Sequence, residues 1–182
     1  MRHAKLKNIM LIPLFSALLA ISAQLQIPFV VPFTLQLLSI YIALMILGGI
    51  AGGVSVFIYI CLGLIGLPVF SGFGSGCGFL FSAAGGYIIG FIPLCLTYTA
   101  LCAIFGSEGK RPLIFSLVSL APLYLTAILW LTFVYTDATG GSFITSLTLF
   151  VAPFIIPDLI KCVLAYFISK RIKKALGSGQ AS

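Results

Sequence analysis

Acidic residues are almost missing from this sequence. Of its 182 residues, three are Asp or Glu, and these are Glu108, Asp137 and Asp158. Charged residues of both signs make up 7% of the chain, against about 25% in an ordinary soluble domain. Because 61% of the residues are also hydrophobic, the composition excludes a soluble monomer. We predict an integral membrane protein.

Residues for metal binding and for catalysis are equally scarce. The sequence has one histidine, His3, and five cysteines without a CxxC or Cys/His spacing, which argues against a metal site. The cysteines lie in or beside apolar segments, where a thiol behaves as a small hydrophobic side chain. Neither GxGxxG nor a Walker sequence occurs, so we expect no nucleotide hydrolysis by this chain and no resident cofactor.

The apolar runs are continuous and do not alternate with period two, which predicts membrane-spanning helices and not a β-barrel. We predict an all-α bundle of six spans in one membrane domain, 1–176, followed by a disordered tail, 177–182. Glycines 48, 49, 52 and 53 are expected to form the turn between spans two and three. The spans are about 8–24, 34–48, the residues from that turn to 66, 79–105, 112–134 and 157–174.

The last apolar stretch, 142–169, is too long for a single span of about 20 residues. We predict a short outer helix over 142–151 and then a break at Pro153 and Pro157, because proline favours the first position of a helix. This division places Asp158 at the start of span six, where the helix dipole favours an anion.

Basic residues are concentrated at the two ends of the chain, in 2–7 and 170–174, and in one loop at Lys110 and Arg111. Six spans put these three groups on one side, and positively charged flanks mark the cytoplasmic side. The net charge of +7 therefore indicates contact with anionic lipid headgroups and not with nucleic acid. Both termini are predicted to be cytoplasmic, with the loops at 25–33, 67–78 and 136–156 outside.

An acid and a base stand three residues apart inside the last apolar run. On a helix, Asp158 and Lys161 share a face. A charge at membrane depth costs about 2.5–3.5 kcal/mol on insertion scales, and it persists where it faces a cavity, a partner or a ligand. The pair is therefore either part of a ligand site or a self-neutralising structural contact.

Four further segments stand out, and three of them have two interpretations each. The proline-rich loop 24–33 can cover a site with Phe29 and Phe33, and the glycine-rich loop 67–78 is either a pocket wall or a flexible turn. Gly85-Gly86-Tyr87 suits a ligand ring and also suits close helix packing. In span one, the small residues Ser16, Ala20 and Ala23 form a groove for a partner helix or for another helix of the same bundle.

Four motifs in this order resemble the BioY family, the biotin-specific S components of energy-coupling-factor (ECF) vitamin transporters. The resemblance extends from about Ser16 to Lys161. The motifs are Pro32-Phe33-Thr34-x-Gln36, Gly63-x-x-Gly66-Leu67-Pro68-Val69-Phe70, Gly85-Gly86-Tyr87-x-x-Gly90-Phe91 and Pro157-Asp158-x-x-Lys161. The chain departs from the family pattern at Ser16, where Ala is usual, and at Ser82-Ala83-Ala84, where Gly-Pro-Thr often stands.

The resemblance implies a six-helix protein of the bacterial cytoplasmic membrane that captures biotin from outside. It also implies assembly with a transmembrane coupling subunit and a pair of ATPases, which supply the energy and use the ATP. The first span is then expected to contact the coupling subunit through Ser16, Ala20 and Ala23. The residues expected to bind the substrate are Asp158, Lys161, Tyr87, Gly86, Gly85, Phe33, Phe29, Gln36, Gly76 and Phe79.

Other functions remain open at this level. The chain could be an S component for another vitamin, such as riboflavin or thiamine, or a purely structural subunit. A membrane enzyme with Asp158 as acid or base is a different class, but its spans lack a second carboxylate or a histidine. The sequence fits a protein that works alone and equally one that works only with the coupling module. It also fits a homo-oligomer.

Overall fold

A computed structural model of the protein describes residues 2–27, 32–135 and 142–178, and the chain in these ranges is mainly helical. The helices are α1 (Arg2–Gln24), α2 (Gln36–Leu47), α3 (Gly49–Leu64), α4 (Gly85–Phe105), α5 (Arg111–Phe133), α6 (Phe143–Thr145) and α7 (Ala152–Ser178). A π-helical segment, Ser146–Val151, joins α6 to α7. Two short strands, β1 (Gln26–Ile27) and β2 (Phe33–Thr34), pair antiparallel as a hairpin between α1 and α2.

Three helical segments are long and apolar enough to cross a membrane, and three further apolar helices are shorter. The long ones are Gly85–Phe105, Arg111–Phe133 and Phe143–Ala175, and the shorter ones are Met10–Gln24, Gln36–Leu47 and Gly49–Leu64. Large apolar side chains such as Met10 and Ile50 are exposed on the outside of the bundle. This arrangement fits a protein whose surroundings are as apolar as its core.

Span ends were predicted to within about two residues for α2 and α5, but two predictions were wrong. Of the four glycines predicted to form the turn, Gly48 alone separates α2 from α3, and the other three lie in α3. A Cβ on Gly52 would come within 2.6 Å of the Leu44 Cα of α2. Its small size is used for close helix packing. The fourth helix begins at Gly85 and not near Phe79, because a 3₁₀ turn, Cys77–Phe81, precedes it.

The break predicted at Pro153 and Pro157 is also absent. Both prolines lie in α7, which continues directly from the π-helical segment, so the expected short outer helix is not a separate element. Membrane helices tolerate proline where neighbouring helices and local π adjustments satisfy the freed backbone groups. Asp158 is therefore in the second turn of α7, and the helix dipole does not account for its position.

The bundle has two distinct ends. At one end, Gln24 at the end of α1 donates from Nε2 to the Phe70 carbonyl (2.9 Å), which holds the loop after α3 against the hairpin. At the other end, the Tyr166 hydroxyl of α7 donates to the Gly109 carbonyl in the α4–α5 turn (3.1 Å). We call these the hairpin end and the basic end, since Lys170 to Lys174 follow Tyr166 along α7.

Candidate functional site

A cleft opens at the hairpin end, between the N-terminal halves of α2, α4 and α7. Its volume is about 510 Å³, including its open mouth. The polar residues that line it are Thr34, Gln36, Ser71, Tyr87, Asp158 and Lys161, and the apolar ones are Pro32, Leu37, Ala84, Ile88, Phe91, Leu123 and Phe154. The structure thus brings together four of the predicted site residues: Gln36, Tyr87, Asp158 and Lys161.

The Asp158 carboxylate is the centre of the polar wall. Lys161 Nζ lies 2.7 Å from its Oδ1 oxygen, so the two side chains share a helix face as predicted. Asp158 is only 3% exposed, and a buried carboxylate is costly unless it is paired and hydrogen-bonded. Both conditions are met, because the Tyr124 hydroxyl of α5 donates to the second oxygen, Oδ2, at 2.8 Å.

Sequence reasoning missed Tyr124. It lies in the middle of α5, and the motifs of this region gave no signal for it. Its contact with Asp158 depends on the packing of α5 against α7, which is a tertiary feature. The one hint was a side chain with a polar tip inside an apolar span, since buried tyrosine hydroxyls usually find a partner.

Gln36 supplies a second acceptor to the cleft. Its Nε2 group donates to the Tyr59 hydroxyl (2.7 Å), and that hydroxyl donates its own proton to the Val69 carbonyl (3.2 Å). Because Tyr59 can then only accept from Gln36, the orientation of the amide is fixed. Within the described residues, Gln36 Oε1 has no hydrogen-bond donor, so this oxygen is available to a ligand.

Tyr87 contributes its ring rather than its hydroxyl. The hydroxyl donates to the Phe150 carbonyl at 2.6 Å, and the ring lies beside that of Phe154, with centroids 5.6 Å apart. Phe33 does not line the cleft itself. It stacks on Phe154 at a centroid distance of 4.1 Å and so supports the wall from behind. Phe29, the other aromatic residue predicted to cover the site, lies outside the described residues.

The predicted glycine floor, Gly85 and Gly86, is closely packed against other parts of the protein. A Cβ on Gly85 would lie 1.7 Å from the Leu80 carbonyl oxygen, and one on Gly86 would lie 2.7 Å from the Trp130 Cβ of α5. Neither residue lines the cleft. The packing interpretation of this motif therefore fits the structure.

Gly76 of the glycine-rich loop and Phe79, just after that loop, are also not among the residues that line the cleft. The Gly76 N–H donates to the Gly63 carbonyl at 2.7 Å, which ties the loop to the end of α3. The Phe79 ring stacks on the buried Phe70 ring, with centroids 5.1 Å apart. Ser71 is the residue of this loop that reaches the cleft.

The groove of small residues on α1 packs inside the bundle. Ser16 is buried and donates to the Ser55 carbonyl of α3 at 2.8 Å, and Ala23 is completely buried. Ala20 is only partly buried. The prediction that all three contact a partner protein is therefore corrected, because small side chains here let α1 approach α3.

The cleft offers one carboxylate, one ammonium group and one amide oxygen beside the apolar side chains of Ile88, Phe91 and Leu123. This set can hold a small ligand that has both N–H and oxygen groups on a hydrophobic body. Within the described ranges, no three His, Cys, Asp or Glu residues come together as a metal site would require. The second described acid, Glu108, is in the α4–α5 turn at the basic end.

Comparisons with known proteins agree over most of the chain. The profile of the BioY family matches residues 1–178. The probable biotin transporter BioY of Pyrococcus horikoshii is 36% identical over 170 residues, which cover 93% of this chain and 98% of that protein. The biotin transporter BioY of Thermotoga maritima is 33% identical over 166 residues, covering 88% and 92%.

Two solved structures have the same fold. The crystal structure of the S component for biotin from an ECF-type ABC transporter superposes with a TM-score of 0.79 at 28% identity, and the match covers 96% of this chain and 94% of that one. The S component of a bacterial ECF transporter matches with a TM-score of 0.62 at 14% identity, covering 98% and 99%. The second likeness concerns the fold alone.

Proposed function

We propose that this chain, which belongs to the BioY family, binds biotin in the cleft at the hairpin end and serves as the substrate-capture subunit of an ECF-type transporter. The observation that carries the proposal is the buried Asp158–Lys161 pair at 2.7 Å, which forms part of the cleft wall. The members of this family are transporters, so the family assignment of this chain agrees with the prediction that it is not an enzyme.

The chemistry of biotin complements that of the cleft. Its ureido group has two N–H donors and one C=O acceptor, and its valerate chain ends in a carboxylate. Asp158 and Gln36 Oε1 can accept N–H groups, and Lys161 can donate to a ligand oxygen. Ile88, Phe91 and Leu123 provide apolar contact for the carbon skeleton. Gly85, Gly86, Gly76 and Phe79 support this site through packing in the proposal, and Phe33 supports it through Phe154.

We further propose six membrane crossings in the cytoplasmic membrane, with both termini in the cytoplasm. The three long and three shorter apolar helices support this number. Lys110 and Arg111 belong to the same end of the bundle as the basic C-terminal part of α7, and positively charged ends face the cytoplasm. The cleft then opens to the outside, where a vitamin is captured.

Energy for uptake must come from partners in this proposal, since the sequence has no nucleotide-binding motif. A transmembrane coupling subunit and an ATPase pair are the partners that the ECF architecture of similar proteins suggests, and no resident cofactor is needed. Of the three small residues on α1, Ala20 remains partly accessible for such a contact. Contact with membrane lipid and assembly into a homo-oligomer remain predictions.

Isothermal titration of the purified protein with biotin, riboflavin and thiamine tests the proposed substrate. We expect saturable binding of biotin at one site per chain and no heat of binding for the other two vitamins. Binding of riboflavin or thiamine in place of biotin would contradict the substrate but leave the S-component fold intact. The lack of binding by any of the three would contradict both the substrate and the role of the cleft.

A further inference from the structure

A second polar cavity lies at the basic end, where its residue Ser169 follows Asp158 by about three turns of α7. It is formed where α7 meets the α4–α5 turn and the end of α2, and it measures about 640 Å³ including its mouth. Ser169, Lys170 and Lys173 line it from α7, Ser107 from the turn and Met45 from α2. The Asp158 cleft lies at the opposite end of the bundle and shares none of these residues.

Ser169 is the unusual member of this cavity. Its side chain is buried, at 3% exposure, and its hydroxyl has no hydrogen-bond partner among the described residues. Other helical serines in the chain satisfy theirs locally: Ser55 donates to the Ala51 carbonyl at 3.1 Å and Ser116 to the Leu113 carbonyl at 2.7 Å. A buried hydroxyl without a partner costs free energy, so it points to a bound group that the protein itself does not supply.

The charge around Ser169 is positive. Lys170 and Lys173 are exposed at the mouth of the cavity. In the part of the chain that the structure describes, neither lysine forms an ion pair, since the Asp158–Lys161 pair is the salt bridge found there. Among the described residues, Glu108 in the α4–α5 turn beside Ser107 is the acid at this end, and Lys110 and Arg111 lie two and three residues after it. The cavity therefore favours an anion.

We propose that this cavity binds a phosphate group, namely that of an anionic phospholipid headgroup. Phosphate oxygens accept hydrogen bonds, and the Ser169 hydroxyl and the two ammonium groups donate them. Ile168 and Ile172 of α7 are partly exposed on the same stretch of helix and can contact the acyl chains. A free phosphate ion has the same acceptor chemistry but would leave this apolar surface unused.

Native mass spectrometry of the purified full-length chain, titrated with phosphatidylglycerol or with phosphatidylcholine, tests the proposal. We expect one phosphatidylglycerol to bind with clear preference. The double variant Lys170→Gln/Lys173→Gln should weaken its binding about tenfold or more, because it removes both ammonium donors that line the cavity. Ser169→Ala should weaken it about tenfold, since it removes a hydrogen bond to a charged group.

The matched control is Arg171→Gln/Lys174→Gln, which removes the same charge from the same turns of α7 but from residues that do not line the cavity. An equal loss in both double variants, with no effect of Ser169→Ala, would overturn the proposal, because it would indicate diffuse attraction to the membrane surface. Equal binding of the two lipids, with no binding of inorganic phosphate, would overturn it as well.

A third titration, with inorganic phosphate, separates the two sources of the ligand. Binding of phosphate that displaces phosphatidylglycerol and is lost in Ser169→Ala would retain the phosphate site and assign it to the free ion. Biotin titration of each variant reports folding, because the Asp158 cleft is not altered. A wild-type chain that binds phosphatidylglycerol but not biotin would contradict the proposed function alone.

Discussion

Removal of Lys161 should strongly weaken biotin binding, because it leaves the buried Asp158 carboxylate without its positive partner. The Asp158 carboxylate is 3% exposed in the wild type, and in Lys161→Met it retains only the Tyr124 hydroxyl as a donor. Truncation of one partner of a buried charge pair costs about 2–5 kcal/mol in binding, and the ligand loses its ammonium donor as well. We therefore expect the biotin Kd, measured by isothermal titration, to rise about 100-fold or more.

The double variant Asp158→Asn/Lys161→Met decides between a ligand site and a structural contact. Each single change leaves a polar or charged group unpaired, whereas the double change removes both charges and should restore much of the melting temperature, because buried pairs often add little net stability over neutral residues. Biotin binding should nevertheless remain weak, since the acceptor carboxylate and the donor ammonium are both gone.

The reasoning is refuted if the biotin affinity of the double variant recovers together with its melting temperature. Such a result would mean that the pair only holds α7 in place and that the ligand contacts neither charge. Lys110→Met is the control, because Lys110 is an exposed lysine in the α4–α5 turn at the basic end. Its removal should leave both the melting temperature and the biotin Kd near their wild-type values.

Two other substitutions test the cleft and the packing beside it. Tyr124→Phe removes the donor to Asp158 Oδ2; biotin should bind about tenfold more weakly by titration, in keeping with a hydrogen bond to a charged group, and an unchanged Kd would remove Tyr124 from the site. Gly86→Ala places a Cβ 2.7 Å from the Trp130 Cβ, so its melting temperature should fall by the equivalent of about 1–3 kcal/mol. Gly53→Ala is the control, because its Cβ would lie 3.7 Å from its nearest neighbour. The melting temperature of this variant should fall much less.

The charged pair in the wall of the candidate site could be predicted from the sequence, because charged residues inside an apolar run are costly and therefore conspicuous. A carboxylate and an ammonium three residues apart in an apolar run predict a paired helix face, and the structure confirms the pairing of Asp158 with Lys161. The third member, Tyr124, could not be predicted, because it is 34 residues from Asp158 in the chain and meets it only through the packing of α5 against α7. Local spacing contains no such information.

Helix ends were harder to predict than helix existence, and proline shows why. At Pro157 the local rule predicts a break, yet α7 runs through this residue. This rule applies to helices in water, where the backbone groups that a break exposes are hydrated. In a lipid-facing segment the alternative is a set of unsatisfied backbone groups, so the helix persists with one hydrogen bond fewer. The charged pair consequently lies inside the helix and not at its dipolar end.

Glycine is required in this chain for two different reasons: lack of space for a side chain and a positive φ. The spacing of glycines in the sequence does not show which reason applies at a given position. Gly63 has no room for a side chain, since a Cβ would lie 2.1 Å from the ring of the buried Phe70. Gly76 has free space around its Cβ position but a φ of +80°, so backbone conformation requires glycine there. The loop between them is therefore anchored by the Phe70 ring and turned by Gly76. This fixed loop brings Ser71 to the cleft, a result that the alternating glycines did not predict.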